Sequence, residues 1–328
     1  MKKENLKIGL LIAAAFMTFS CTKMDSAKNE RIDVEENAVL KRECGSMEVL
    51  NQQLSQDPSL QQRMNAIEAF TQRLASNEKE LNSLLPDGTI EIPVVVNVLY
   101  RTTDENISDA QIQSQIDVLN EDFSGTNADY GNVPALFSDS KAAIGVKFKL
   151  VNIFRKSTKK RSWGTDDAMK STARGGIDPT NPTTTLNLWS CTLGNSLLGY
   201  AQFPGGAPAT DGVVILNTAF GRVGTARAPF NKGRTATHEV GHWMNLRHIW
   251  GDATCGNDQV NDTPQHNAAN YGCPSYPHLS TCTGTPVEMT MNYMDYTDDA
   301  CMYMFTAGQK ARALAVFAAG GPRAAFAN

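Results

Sequence analysis

Apolar positions along the chain fall into blocks with two different periods, and their order predicts the elements. Residues 64–74 place Ala66, Ile67, Ala69 and Phe70 at helical spacing. They predict a helix inside a polar stretch, 22–83, rich in Glu, Gln, Asn, Lys and Ser. Leu84-Leu85-Pro86-Asp87-Gly88 is a turn signal that closes this stretch. The pattern then changes sharply. Residues 90–100 (IEIPVVVNVLY) form a continuous apolar run, as in a strand buried on both faces. Residues 108–123 predict an amphipathic helix, with Ser108 as N-cap and Ile112, Ile116, Leu119 and Phe123 on one face. Strands are predicted at 146–154, 185–191, 198–203 and 211–217, and a helix at 235–245. Past Gly251 the chain turns irregular, with Gly, Pro, Asn, Thr and Cys throughout, until a last helix over 306–319. Strands and helices thus come first and an irregular half follows, with a domain boundary between residues 80 and 90.

Composition adds exclusions. The chain has 328 residues, 41% hydrophobic and 20% charged, with a net charge of −4. That is ordinary globular composition without the basic excess a nucleic-acid binder needs. At the N-terminus, three lysines before residue 8 precede an apolar run over 8–19, then Ser20 and Cys21. This is the layout of a signal peptide, 1–21, too short for an ordinary membrane span. Ser20-Cys21 resembles a bacterial lipoprotein cleavage site, with Thr18 where leucine is usual. The expectation is a secreted protein or an outer-surface bacterial lipoprotein, with membrane contact only through a lipid at Cys21, in a setting where disulfides persist.

Three of the five histidines lie within eleven residues. His238-Glu239-Val240-Gly241-His242 is an HExxH motif. Residues four apart share a helix face, so both imidazoles can meet one ion. Glu239 lies one step round, within reach of a water on that ion. A catalytic zinc site takes three protein ligands and keeps one position open. His248 is the third candidate, six residues on. On a continuous helix it would sit about 9 Å farther along the axis and about 120° off the face. It can ligate only if the helix stops, and Asn245 is suited to the left-handed turn required. Glu288 or Asp252 are the alternative third ligands.

HEVGHWMNLRH resembles the zinc motif of the metzincin metalloendopeptidases, with Asn245 where they have glycine. Asn292-Tyr293-Met294-Asp295-Tyr296 resembles their Met-turn, which implies a sulfur floor from Met294 and an oxyanion-facing hydroxyl from Tyr296. With IPVVVNVLY, NISDAQIQSQIDVLNEDF, LLGYAQFPGG, DGVVILN and MNYMDYTDDACMYMFTAGQKAR, the resemblance narrows to the pappalysin family and its ulilysin- and cytophagalysin-like bacterial branch, over residues 90–320. It implies an α+β metzincin catalytic domain, 86–328, with a twisted five-stranded mixed sheet, a backing helix and an active-site helix above an irregular, disulfide-stapled lower subdomain. A short helical pro-segment, 22–85, would precede it. It implies a zinc endopeptidase acting on proteins or peptides, with Glu239 as general base. The edge strand over 198–203 is the expected seat for extended substrate. The competing reading is a catalytically inactive binding module on the same scaffold, which the intact motif residues oppose.

Seven cysteines occur: 21, 44, 191, 255, 273, 282 and 301. The resemblance implies the bridges Cys255–Cys282 and Cys273–Cys301, leaving Cys191 as a buried thiol. Arg42-Glu43-Cys44-Gly45 looks like the cysteine switch of pappalysin-like and matrix metalloproteinases, in which a pro-segment thiolate fills the open zinc position. Ulilysin-type relatives imply calcium near the loop 251–264, with Asp258, Asp262 and Thr263 as its ligands here. They also favour a basic residue after the cleaved bond, through an acidic pocket floor beside the last cysteine; here Ala300 stands there, with Asp298 and Asp299 earlier, a departure from that pattern.

Overall fold

The computed structural model describes residues 41–86 and 88–327. The signal segment and Cys21 lie outside the described residues. Three helices come first: α1 (Ser46–Gln56), α2 (Ser59–Ala75) and α3 (Glu78–Leu84). The rest runs β1 (Glu91–Tyr100), α4 (Asp109–Ser124), β2 (Lys141–Ala142), β3 (Lys147–Ser157), β4 (Leu186–Cys191), β5 (Gly199–Ala201), β6 (Val213–Leu216), α5 (Arg234–Trp243), β7 (Phe305–Thr306) and α6 (Ala307–Ala315).

The main sheet has the order β3-β1-β4-β6-β5. Its first four strands are parallel, and β5 closes the edge antiparallel to β6. Ile92, Val94, Val96 and Val98 of β1 are fully buried, and so are Val95 and Leu99 on its other face. Covered faces explain why this strand reads as an unbroken apolar run. Each such side chain contributes roughly 1.5–3 kcal/mol on burial. α4 starts where Ser108 accepts a hydrogen bond from the Gln111 N–H, and stops at Gly125 in the left-handed region. No helix among the described residues is long and apolar enough to cross a membrane.

Several boundaries move. β3 runs on to Ser157, because Arg155, Lys156 and Ser157 still pair with β1 although they are polar. β5 is shorter than expected, and α5 ends at Trp243. α1 and α3 were not legible as helices. α1 (SMEVLNQQLSQ) buries only Ser46, Val49 and Leu50, so docking holds it rather than a strong periodic face. The lower part between Gly251 and Met304 has no α-helix and is crossed by disulfides Cys255–Cys282 and Cys273–Cys301. Cys191 is a buried free thiol in β4.

Candidate functional site

α5 carries His238, Glu239 and His242 on its buried face, and the chain then reverses. Asn245 adopts φ 69°, the left-handed turn that lets the next residues fold back. The reversal brings His248 Nε2 to 3.0 Å from His242 Nε2, which itself lies 3.2 Å from His238 Nε2. The other ring nitrogens fix the tautomers. His238 Nδ1 meets the Tyr293 carbonyl at 2.7 Å and His242 Nδ1 the Leu246 carbonyl at 2.8 Å. A carbonyl only accepts, so each Nδ1 carries the hydrogen and each Nε2 presents a bare lone pair. His248 Nδ1 is held the same way by Asp252 at 2.5 Å. Asp252 is therefore a partner of the third imidazole rather than a ligand. Glu288 is buried elsewhere, against Asn267 and Asn270.

Cys44 completes the group. Its Sγ and the three imidazole nitrogens all lie within 4.8 Å of one another. Lone pairs converging this closely repel unless a cation sits among them, and three histidines with one thiol are a tetrahedral zinc donor set. Burial and the neighbouring histidines hold His238 well below its usual range and His242 at about 3, so both imidazoles are neutral, as ligation needs. Burial raises the Glu239 carboxyl to about 7, although Cys44 and Ser46 oppose the rise by hydrogen bonding to it.

Packing keeps these groups in place. Trp250 stacks on His248 at 4.3 Å between ring centroids, and Phe203 lies 5.2 Å from His242. Met294 is fully buried beneath α5. A Cβ at Gly241 would stand 2.5 Å from the Met294 sulfur, so the glycine inside HExxH is the hollow that admits the floor. Gly199 of β5 has the same kind of role, since a Cβ there would come 3.0 Å from Glu239 Cγ. Tyr296 has its ring 4.9 Å from that of His248, and its hydroxyl accepts from the Cys44 N–H at 3.3 Å.

The segment around Cys44 lies along β5. Leu198 N–H donates to Glu43 O and Gly45 N–H to Gly199 O, both at 2.9 Å. Ser46, which was not anticipated, donates from Oγ to Glu239 Oε2 at 2.9 Å and accepts from the Ala201 N–H at 2.8 Å. Arg42 is buried and makes an ion pair with Asp299 at 2.7 Å; it also bonds the Thr297 carbonyl and Thr235 Oγ1. Ala300 therefore does not remove acidity from this corner: a tight turn over Asp299–Cys301 points Asp299 inward instead. Farther away, Glu68 of α2 receives both terminal nitrogens of Arg312, whose Nε donates to the Asn245 carbonyl at 2.9 Å.

The oxygens of the expected calcium ligands are otherwise engaged. Asp258 accepts from Thr263 Oγ1 and from the Val260 N–H. Asp262 accepts from Thr306 Oγ1 and the Gly308 N–H at the start of α6. Calcium gains no support from this arrangement.

Comparison with known proteins agrees with this geometry. Residues 184–318 match the Peptidase_M43 family, described as pregnancy-associated plasma protein-A. An extracellular metalloprotease of Arthroderma benhamiae is 33% identical over 251 residues, covering 74% of this chain and 83% of that protein. One from Pyricularia oryzae is 35% identical over 244 residues, covering 70% and 76%. Among solved structures, Tannerella forsythia mature mirolysin in complex with a cleaved peptide is 48% identical, covering 74% of this chain and 97% of that one, with a TM-score of 0.72. A promirolysin mutant of the same organism is 43% identical, covering 87% and 97%, with a TM-score of 0.77.

Proposed function

The chain belongs to the pappalysin family, peptidase M43, of metzincin metalloendopeptidases, and from that premise we propose a secreted zinc endopeptidase made in latent form. His238, His242 and His248 are the zinc ligands of this reading, Cys44 the fourth ligand while latent, and Glu239 the general base. The observation that carries it is the convergence of three bare imidazole nitrogens on the Cys44 sulfur beside a buried carboxylate. Zinc in that position supplies a Lewis acid that acidifies water and polarises a peptide carbonyl. Glu239 takes the proton of the attacking water and gives it to the leaving amine, tasks that its buried place on α5 between the two imidazoles allows. Tyr296 donates from its hydroxyl to the oxygen on which negative charge develops. The edge of β5, now paired with residues 43–45, receives extended substrate after the segment leaves. The Arg42 pocket floored by Asp299 then takes a basic side chain of the substrate.

Latency follows from the same contacts. The thiol fills the coordination site, and Ser46 ties up the proton acceptor. Cleavage in the stretch 75–90 frees both. The coverage of this chain by the two mirolysin structures, 74% for the mature form and 87% for the pro-form, supports a pro-segment over 22–85. The naming of the relatives as extracellular supports export, and Cys21 is the residue an anchor would acylate. The test follows degradation of a denatured protein by the zymogen. Expected are loss of cutting in Glu239→Ala or with a zinc chelator, and an earlier onset in Cys44→Ala. An onset no earlier than wild type in Cys44→Ala removes the switch. Stoichiometric zinc without cutting by any form removes the enzyme.

A further inference from the structure

Positive charge is unevenly distributed over the protein. Residues 147–161 (KFKLVNIFRKSTKKR) hold seven of its 30 lysines and arginines and none of its 34 acidic residues. Taking these seven from the chain's −4 leaves the remainder at −11. The stretch is β3, the edge of the sheet opposite β5, and the loop after it. Two of the seven are neutralised by neighbours: Lys149 by Glu91 at 3.2 Å and Arg155 by Asp109 at 2.5 Å. Lys156 donates to the Gly176 carbonyl and Lys160 lies over the Trp163 ring at 4.1 Å, contacts that leave both charges uncompensated. Lys147, Lys159 and Arg161 are exposed and have no acidic partner among the described residues. Val151 and Phe154, 50% and 39% exposed, lie among them.

Lysines on an edge strand deter other chains from adding to the sheet. That accounts for Lys147 and Lys149, where the Asn120 amide already closes the edge by bonding both the N–H and the carbonyl of Phe148. It does not account for Lys159, Lys160 and Arg161, which lie past the last strand residue. Their loop leads toward the site. Trp163 bridges to Leu193 and takes the Thr192 carbonyl at 2.9 Å. Thr165 packs under Gly45, the residue after Cys44, and donates to Glu48 of α1 at 2.8 Å. The loop after the strip therefore ends against the segment that carries Cys44.

We propose that residues 147–161 are an exosite for acidic segments of protein substrates, engaged while a neighbouring stretch of the same chain lies in the cleft. This rests on the peptidase reading above. An eleven-residue strand is about 36 Å long, matching an extended segment of about ten residues. Charges of one sign along such a strip raise encounter rates and are weakened by salt.

The test uses the activated enzyme and two peptides with one cleavage sequence, one of them extended by a run of glutamates. The acidic extension is expected to raise kcat/KM about tenfold at low salt and to lose that advantage near 0.5 M salt. Lys159→Glu/Lys160→Glu/Arg161→Glu abolishes the advantage and leaves the plain peptide unchanged. The milder Lys159→Gln/Arg161→Gln reduces it, which covers a failure of the triple variant to fold. Equal cleavage of both peptides by wild type overturns the proposal, as does an equal loss for both in the variants. Retention of the protein by a sulfated polysaccharide, without any kinetic effect of the glutamates, assigns the strip to another class of polyanion and overturns it too. Failure to cut the plain peptide speaks against the peptidase reading instead.

Discussion

Two halves meet at the metal centre, and they are held together differently. The sheet-and-helix half, from β1 to α5, is built on apolar burial: β1 and β4 are covered on both faces, and Val240 and Ala236 of α5 are fully buried. The lower half, from Gly251 to Met304, has two disulfides and a buried polar network. His266, Glu288 and Asp295 are wholly inaccessible there. The Met289 N–H donates to His266 Nε2 at 2.9 Å, so the ring turns its Nδ1 hydrogen toward Asp295, 3.5 Å away. Asn270 spans Glu288 and Asp295, and Asp295 in turn accepts the Tyr296 N–H at 2.8 Å. The upper half thus places Glu239 through packing, and the lower half places Tyr296 through hydrogen bonds. A site that needs both inherits two kinds of fragility: hydrogen-bonded networks fail when one member is lost, whereas apolar cores fail by volume.

Substitutions can break that contrast, and the largest effect belongs to the packed half. Glu239→Gln is expected to lower kcat/KM of the activated enzyme about a thousandfold with unchanged thermal unfolding, because it removes proton transfer and keeps the shape. Steady-state kinetics beside a melting curve check this. Removing the bridge with Cys255→Ala/Cys282→Ala is expected to cost about 3 kcal/mol. Hydrogen exchange should place the loss in residues 255–301 while β1 and β4 keep their protection. Equal losses in both halves would mean that they unfold as one unit. Tyr296→Phe is expected to reduce kcat about a hundredfold with little change in KM, the signature of a contact made in the transition state.

The smallest effect sharpens the comparison by pH. Burial raises Asp122 in the upper half and Asp258 in the lower half, each to about 6. Arg234 lowers Asp122 only partly, since its two terminal nitrogens are engaged by Asp129. For Asp258 the opposing contacts are the Thr263 hydroxyl and the Val260 N–H. A carboxyl raised by folding holds its proton better in the native state. Stability is therefore greatest at low pH with respect to these groups and falls as pH climbs from about 4 to about 6. Asp122→Asn and Asp258→Asn should each flatten that fall by about 1–2 kcal/mol, read from Tm against pH.

Much of this was legible in the sequence, for physical reasons. The HExxH spacing dictates one helix face, and Asn245 announces a reversal that no continuous helix allows. β1 identified itself because burial on both faces leaves an unbroken apolar run. What escaped was set by contacts across the chain. Ser46 looks like any helix-start serine until β5 and Glu239 close on it. Asp299 was visible beside Ala300, but its inward direction was not, since the direction of a side chain in a one-turn helix cannot be counted off from a cysteine. Gly199 and Gly241 carry no chemistry of their own; their meaning lies in the atoms that approach them.

The placement of Cys44 ahead of the histidines also has a consequence in time. Synthesis runs from the N-terminus, and 194 residues separate Cys44 from His238. At roughly 5–20 residues per second, Cys44 leaves the ribosome roughly 10–40 s before His238 is made. Arg42, Ser46 and Glu68 are likewise made before Asp299, Glu239 and Arg312, the groups they neutralise or cap. On the reading proposed above, each of these cleft groups meets a partner made earlier in the same chain, and the cleft opens only when residues 42–46 are released from it.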